Sequence, residues 1–423
     1  SHAREAVALS LSGAADGRPG PVHLNIAFRE PLSSPPGPSA LNLAAETGGS
    51  TEHGSAPSIS PRHITLEPRP GTLVIAGHRA GPDAERLARD LGAVLIAEVH
   101  SGARFGRNLI VAYRQVLDSP PPDPPISRVI CVGRPTLSRQ VERLLSRDDI
   151  VQVVWQQNEP APSNLSGSAV IVDKVTVSRV ASESENREWV APWVTASRKH
   201  LEADVERLDP PTPRVEDDAS EDMSSRAMFA KQEMSVFRRP VTRRDIAREV
   251  WAHTWPTDLL LLSSSRMIRE FDQLVPGKRI PVWANRGLSG IDGIVATARG
   301  MASSRCLRGL PGVTRVVLGD LALLHDAGSL LLQESERAAS NLQIFVAVDG
   351  GGSLFDSLEV ADSADSRSYE RVIFTPSQAG LASLAAAYGW RYRKATDLAG
   401  LSEALADTGG QLLVECPVGR AGP

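Results

Sequence analysis

The chain of 423 residues is too long for one hydrophobic core, so two or three domains are expected. Its 46 Lys and Arg against 50 Asp and Glu leave a net charge of −4, and aromatics make up only 4%, so there is neither a basic face for nucleic acid nor a set of stacking platforms for bases. No apolar run reaches the ~18 residues of a membrane span, SHAREAVALSLSG is not a signal peptide, and Cys131, Cys306 and Cys416 lack metal-ligand spacing and suit reduced thiols of the cytoplasm.

Ala3–Ala14 reads as a helix and Gly20–Phe28, with its alternation, as a strand. Residues 31–61, rich in Pro, Ser and Gly, read as a linker. An α/β rhythm then begins. Thr72–Gly77 is a strand, Asp83–Gly92 a helix, Ala93–Val99 a strand and Asn108–Leu117 a helix. After the proline-rich turn at 120–125 come the strand Arg128–Gly133, the helix Leu137–Leu145 and the strands Asp149–Trp155 and Ser168–Val175. A helix is expected within Asn186–Leu208, opening near Pro192, because proline suits a first helical turn. Strands and helices alternating at these lengths predict a doubly wound parallel sheet.

Residues 209–222 are acidic and proline-rich, a second linker. Helices follow at Ser224–Met234 and Thr242–Thr254, then the strand Asp258–Ser265. The stretch VVLGDLALLHD (Val316–Asp326) reads as a buried strand ending in Gly-Asp before a helix. Leu342–Gly352 is a strand ending in Asp-Gly-Gly-Gly, and Gly410–Cys416 closes a second parallel α/β domain.

Four strand ends in this last domain are polar or glycine-rich: Ser263-Ser264-Ser265, Asn285-Arg286-Gly287, Gly319-Asp320 and Asp349 with its three glycines. In a parallel sheet they fall on one edge, where α/β folds hold ligands. Asp320 and Asp349, 29 residues apart, are separated by one crossover, which suits two oxygens on one hard cation. Gly351 can add a backbone carbonyl, and serines and backbone amides suit phosphates. Taken singly, each feature has a plainer meaning. Gly-Asp caps helices, Asp-Gly-Gly-Gly makes a turn, three serines make a polar loop, and Arg269 is a solvated helix arginine one turn beyond Ser265. His325 and Asp326 read as helix surface.

GDLALLHD followed by VDGGGSLF resembles the thiamine-diphosphate-binding signature. ANRGLSGIDG (Ala284–Gly293) resembles a stretch of the 2-succinyl-5-enolpyruvyl-6-hydroxy-3-cyclohexene-1-carboxylate synthases of menaquinone biosynthesis, the MenD family, and GPVHLNIAFREPL (Gly20–Leu32) resembles the end of that family's first domain. The resemblance implies an α/β thiamine-diphosphate-binding fold. Residues 1–33 would be the remnant of a pyrimidine-binding domain, 34–66 a linker, 67–208 a central Rossmann-like domain, 209–222 a linker and 223–423 the diphosphate-binding domain. It implies a transferase that joins 2-oxoglutarate, with decarboxylation, to isochorismate, with thiamine diphosphate and Mg2+ or Mn2+, as a homodimer or tetramer in the cytoplasm.

By the same resemblance, Asp320, Asp349 and the Gly351 carbonyl would hold the metal. Ser264, Ser265, Ser289, Gly290, Ile291, Gly319, Asp320, Leu321, Leu354 and Phe355 would contact the cofactor, Ile291 as a wedge beneath it. Ser265, Arg269 and Arg286 would face the reacting centre. Arg139, Arg269 and Arg286 would pair with substrate carboxylates, which suits the two-pronged guanidinium, and Leu354 and Phe355 would wall the substrate pocket. Arg139 reads equally well as a surface arginine. The chain departs from the family at Gly350 and Ser264, where asparagine is usual, and its activating glutamate is matched by no residue here, Glu30 included. The chain alone is therefore expected to be inactive. A non-catalytic relative that kept the fold is the alternative, and a decarboxylase of another 2-oxo acid is less favoured.

Overall fold

The computed structural model describes residues 62–156, 164–208, 229–231, 234–333 and 341–420. The expected helix Ala3–Ala14, the strand Gly20–Phe28, the linker before residue 62, the linker 209–222 and most of the helix at Ser224–Met234 lie outside them.

The central domain is built on five parallel strands in the order β3-β2-β4-β5-β6. These are β2 (Thr72–Ala76), β3 (Val94–Ala97), β4 (Arg128–Val132), β5 (Val151–Trp155) and β6 (Val170–Val172). Helices α1 (Asp83–Leu91), α2 (Tyr113–Asp118) and α3 (Arg139–Leu145) connect them, and α4 (Glu183–Leu208) follows. Leu73 and Ile75 enter one apolar layer and Val74 and Ala76 the other, so the sheet is buried on both faces, as a parallel sheet must be.

Four expectations change here. Residues 63–66, placed in the linker, form β1 (His63–Leu66), which pairs in parallel with β7 (Lys174–Val177). So short a strand carries little pattern, and its partner lies 111 residues away. Ser168–Val175 is two strands, because β6 pairs with β5 while β7 turns to β1. Residues 108–110 are extended: Leu95 N–H donates to Asn108 O and Ile110 N–H to Leu95 O, so α2 starts only at Tyr113. Helix α4 begins at Glu183, and Pro192 lies inside it. The start is set by Ser182-Glu183-Ser184-Glu185: Glu185 N–H donates to Ser182 Oγ (3.3 Å) and Ser182 N–H to Glu185 Oε2 (2.8 Å). This reciprocal cap satisfies two donors that the first turn leaves open. Trp189 and Trp193 then bury α4 against the sheet, Trp189 Nε1 donating to Thr72 O at 2.7 Å.

The last domain has six parallel strands in the order β12-β13-β11-β10-β8-β9. They are β8 (Leu259–Leu262), β9 (Val282–Ala284), β10 (Thr314–Gly319), β11 (Leu342–Val348), β12 (Arg391–Lys394) and β13 (Gln411–Pro417). Helices α5 (Arg243–His253), α6 (Arg266–Leu274), α7 (Ile294–Leu307), α8 (Asp320–His325), α9 (Glu359–Ser363), α10 (Ser366–Tyr369), α11 (Leu381–Tyr388) and α12 (Leu398–Ala406) cover it. Leu260 and Leu262 face one apolar layer, Leu259 and Leu261 the other. No helix among the described residues is long and apolar enough to cross a membrane.

A buried polar joint links the two domains. Asp272 of α6 is wholly buried and accepts Val99 N–H (2.9 Å), Tyr113 Oη–H (2.5 Å) and Arg114 Nη2 (2.7 Å) from the central domain. Arg104 reaches back, donating to Ala97 O (2.7 Å), Asp272 O (2.8 Å) and Val275 O (2.9 Å). Removing the carboxylate leaves buried cations without a counter-charge. Asp272→Ala should therefore lower unfolding free energy by about 3–5 kcal/mol, read by chemical denaturation. Asp118→Ala, which breaks an exposed pair with Arg143, should lower it by less than about 1 kcal/mol.

Candidate cofactor and substrate site

Strands β8, β10 and β11 end in step: Val317 pairs with Leu262, and Gly319 with Ala347. Leu262 also pairs with Ala284 of β9. Their polar extensions therefore meet at one edge, the carboxyl edge expected of a doubly wound sheet. A cavity of about 350 Å³ opens there. Ser264, Ser265, Ser289, Gly290, Ile291, Gly319, Asp320, Leu321, Asp349, Gly351, Leu354 and Phe355 all line it. Each of these is among the residues expected at the site. Arg243, Met267 and Ser353, which are not, line the same wall.

Asp320 is not a helix cap. It is the first residue of α8, after Gly319, and its carboxylate bridges two strand ends. Oδ1 accepts Leu321 N–H (2.8 Å) and Oδ2 accepts Gly350 N–H (2.9 Å). Burial, then the negative charge of Asp349, push its carboxyl up to about 6. Asp349 does make a turn, with Gly350 at φ 81°, but it is also ion-paired. Its Oδ2 accepts Arg243 Nη2 (2.7 Å) and the Ser353 hydroxyl, and Oδ1 accepts Gly351 N–H at 3.3 Å. Arg243 is itself buried and donates to Gly419 O as well (2.7 Å). Two adjacent carboxylates held apart from full neutralisation make a site for positive charge. Among the described residues no group of three or more His, Cys, Asp or Glu forms a metal cage. Two carboxylates on adjacent strand ends suit a hard cation that takes its remaining oxygens from other ligands and water.

Gly351 is sterically required. A Cβ there would lie 2.5 Å from Phe374 O and 2.7 Å from its ring. Gly351→Ala should displace this loop and cost about 1–3 kcal/mol, measured as a fall in denaturation midpoint.

Ser265 caps α6, its Oγ accepting Met267 N–H (3.2 Å), and Arg269 one turn on donates Nη1 to Ser265 O (2.9 Å). Arg269 faces an adjoining cleft of about 710 Å³, shared with Arg139, Arg134 and Thr136. Arg286 lies beside Ser289 and Gly290 in a third hollow of about 540 Å³. None of the three expected arginines lines the cavity: Arg269 borders it through Ser265 and Arg286 through Ser264, Ser289 and Gly290, while Arg139 lies with Arg269 in the other cleft. Burial, then the charges of Arg286 and Arg114, hold Arg269 below the usual guanidinium range. Crowded cations of this kind favour a multiply charged anion. Ser264 ties two loops: it donates to Asn285 O (2.9 Å) and accepts Arg286 Nη1 (3.0 Å).

Beneath Arg286 lies Glu98, at the end of β3 and wholly buried. Burial, then the charge of Asp272, push its carboxyl up to about 8. Neighbouring His100 is pulled down to about 3 by burial, then by His78 and Arg286. The folded protein holds the Glu98 proton more tightly than the unfolded chain, whose glutamates titrate near 4.5. Its contribution to stability is complete below that value and is lost as pH rises towards 8. Glu98→Gln, with no proton to lose, should lose less stability than the parent between about pH 5 and pH 8, read by denaturation at a series of pH values.

No family model matches the chain. Curated relatives do. A 2-succinyl-5-enolpyruvyl-6-hydroxy-3-cyclohexene-1-carboxylate synthase from Leifsonia xyli subsp. xyli is 45% identical over 421 residues, covering 96% of this chain and 70% of the relative. The synthase from Clavibacter michiganensis subsp. michiganensis is 41% identical over 416 residues, 95% of this chain and 69% of that one. The chain belongs to this synthase family. Its kinship is with transferases, and it spans about 70% of the Leifsonia protein's length. The crystal structure of benzoylformate decarboxylase from Polynucleobacter necessarius superposes with a TM-score of 0.51 at 11% identity, covering 96% of this chain and 69% of that chain. At that identity the likeness speaks for fold alone. The synthase-family chain has the α/β fold of parallel-sheet domains that its sequence implied.

Proposed function

We propose that the chain provides the diphosphate-binding part of a thiamine-diphosphate- and magnesium-dependent carboligase that joins 2-oxoglutarate, with loss of carbon dioxide, to isochorismate. The observation that carries this reading is the pair Asp320 and Asp349 on adjacent strand ends, on the wall of a cavity that also contains Ser289–Ile291 and Leu354–Phe355. Kinship with synthases of that activity supports it.

When bound, thiamine diphosphate supplies the nucleophilic carbon and the electron sink that decarboxylation requires. In this reading the chain's own residues bind and orient. Asp320, Asp349 and the Gly351 carbonyl would hold Mg2+ or Mn2+. Arg243 fixes one oxygen of Asp349 and offsets part of its charge. Gly319 and Leu321 flank Asp320 and shape the wall. Ile291, Ser289, Gly290, Ser264 and Ser265 would contact the cofactor. Arg269, Arg286 and Arg139 draw the carboxylates of both substrates out of water, where two-pronged contacts fix their orientation. Leu354 and Phe355 close the apolar side. A homodimer or tetramer in the cytoplasm is part of the same proposal.

Calorimetric titration with thiamine diphosphate, with and without Mg2+, tests it on the full-length protein. Binding should require the metal, and Asp320→Ala should weaken it by about a hundredfold, near 2.7 kcal/mol. Metal-independent binding, or an Asp320→Ala protein that binds as the parent does, would overturn the site. Binding without turnover of 2-oxoglutarate and isochorismate even when a pyrimidine-binding domain of the family is added as a separate polypeptide would favour a non-catalytic member of the fold.

A further inference from the structure

We propose that Glu98 is a positioning residue for substrate binding. It anchors the Thr136–Leu137 turn of the central domain, and that turn sets the position of Arg286 in the last domain. The inference rests on the reading that Arg286 pairs with a substrate carboxylate.

The contacts form one chain. Glu98 Oε1 accepts both Thr136 N–H (2.7 Å) and Leu137 N–H (2.6 Å). Thr136 in turn receives Arg286 twice, Nε on its Oγ1 (2.9 Å) and Nη2 on its carbonyl (3.0 Å). Ser264 of the last domain takes Nη1 (3.0 Å). Three of the five guanidinium donors are thus committed, two bonds going to a single residue of the other domain. The plane of the guanidinium is fixed by that clamp, and two N–H groups remain for a ligand. Any shift of the 136–137 turn would rotate this fork, and forked recognition of a carboxylate tolerates little rotation.

Glu98 is a costly way to hold a turn if holding it were all that mattered. Its Oε2 has no partner, and His100, 3.8 Å away, has none on either ring nitrogen. A buried polar atom left unpaired destabilises the fold. An apolar side chain would avoid that cost but would release both turn amides. The glutamate therefore sits where loss of its acceptor would reach the ligand through one turn and one guanidinium. It touches no substrate itself.

Calorimetric titration of the protein with 2-oxoglutarate and, separately, with isochorismate tests this. Glu98→Leu and Thr136→Val should each raise the Kd of the substrate held by Arg286 about tenfold or more, with the Kd of the other substrate changed by less than about twofold. Thr136→Val keeps the shape of the side chain and carries the test should Glu98→Leu fold poorly. Glu98→Gln keeps the Oε1 acceptor and should hold Kd to within about threefold of the parent. Arg286→Lys should raise the same Kd, and adding Glu98→Leu or Thr136→Val to it should change Kd by less than about twofold, because coupled residues are not additive. Independent, multiplying effects would overturn the proposal. So would a Thr136→Val protein with unchanged Kd while Arg286→Lys is impaired; the substrate role of Arg286 would then stand without Glu98. An Arg286→Lys protein with both Kd values unchanged, or a parent protein that binds neither substrate, would overturn the substrate role and this inference together.

Discussion

The arrangement of the site depends on one buried ion cluster, the carboxylate of Asp272 among Arg104, Arg114 and Tyr113. Charges removed from water hold their geometry strictly, because every bond not made inside is a bond lost. Asp272 lies on α6 and its partners on the central domain, so the cluster sets one sheet edge against the other. That apposition brings Arg139 to the cleft of Arg269 and Thr136 to the guanidinium of Arg286. Apolar contact alone would not give this register. Val99 and Leu137 do enter the last domain's core, but such packing tolerates sliding better than a directional bond does.

A second electrostatic arrangement operates within the last domain. Asp320 and Asp349 repel one another across neighbouring strand ends, and the fold answers with three kinds of donor: backbone amides on Asp320, the buried Arg243 on Asp349, and the Ser353 hydroxyl. None of these fully neutralises the pair, and burial, then the charge of Asp349, still raise the Asp320 carboxyl. Stability and site chemistry oppose each other here. A complete set of counter-charges would make a firmer loop and a poorer place for a cation. Ser264 and Arg286 show the same logic with opposite sign. A cation is held by neutral oxygens in three directions, so its charge stays available to an anion.

Much of this was legible before any fold was known. Strands β8, β10 and β11 are apolar runs ending in polar or glycine-rich residues, and parallel topology then requires those ends to share an edge. What escaped was of two kinds. Some local signals were present and not used: Ser182-x-x-Glu185 marks the start of α4, ahead of the opening expected near Pro192. Other features had no local signal. Strand β1 is four residues long with a partner 111 residues away, and nothing near Arg243 points to a carboxylate 106 residues on.

The sequence by itself determined the fold class and the carboxyl edge. These follow from apolar periodicity and from glycines and carboxylates at strand ends, information written within a few residues, whereas Ser289, Ile291, Leu354 and Phe355 are expected at the site through the family resemblance alone. Only the tertiary structure decided that Asp320 bridges two strands rather than capping a helix, that Asp349 is paired with Arg243, and that Glu98 supports Arg286 through another domain's turn. Those pairings join residues 30 to 150 positions apart. Their partners are selected by burial, which makes each unsatisfied polar group seek whichever donor or acceptor the packed domains bring within reach.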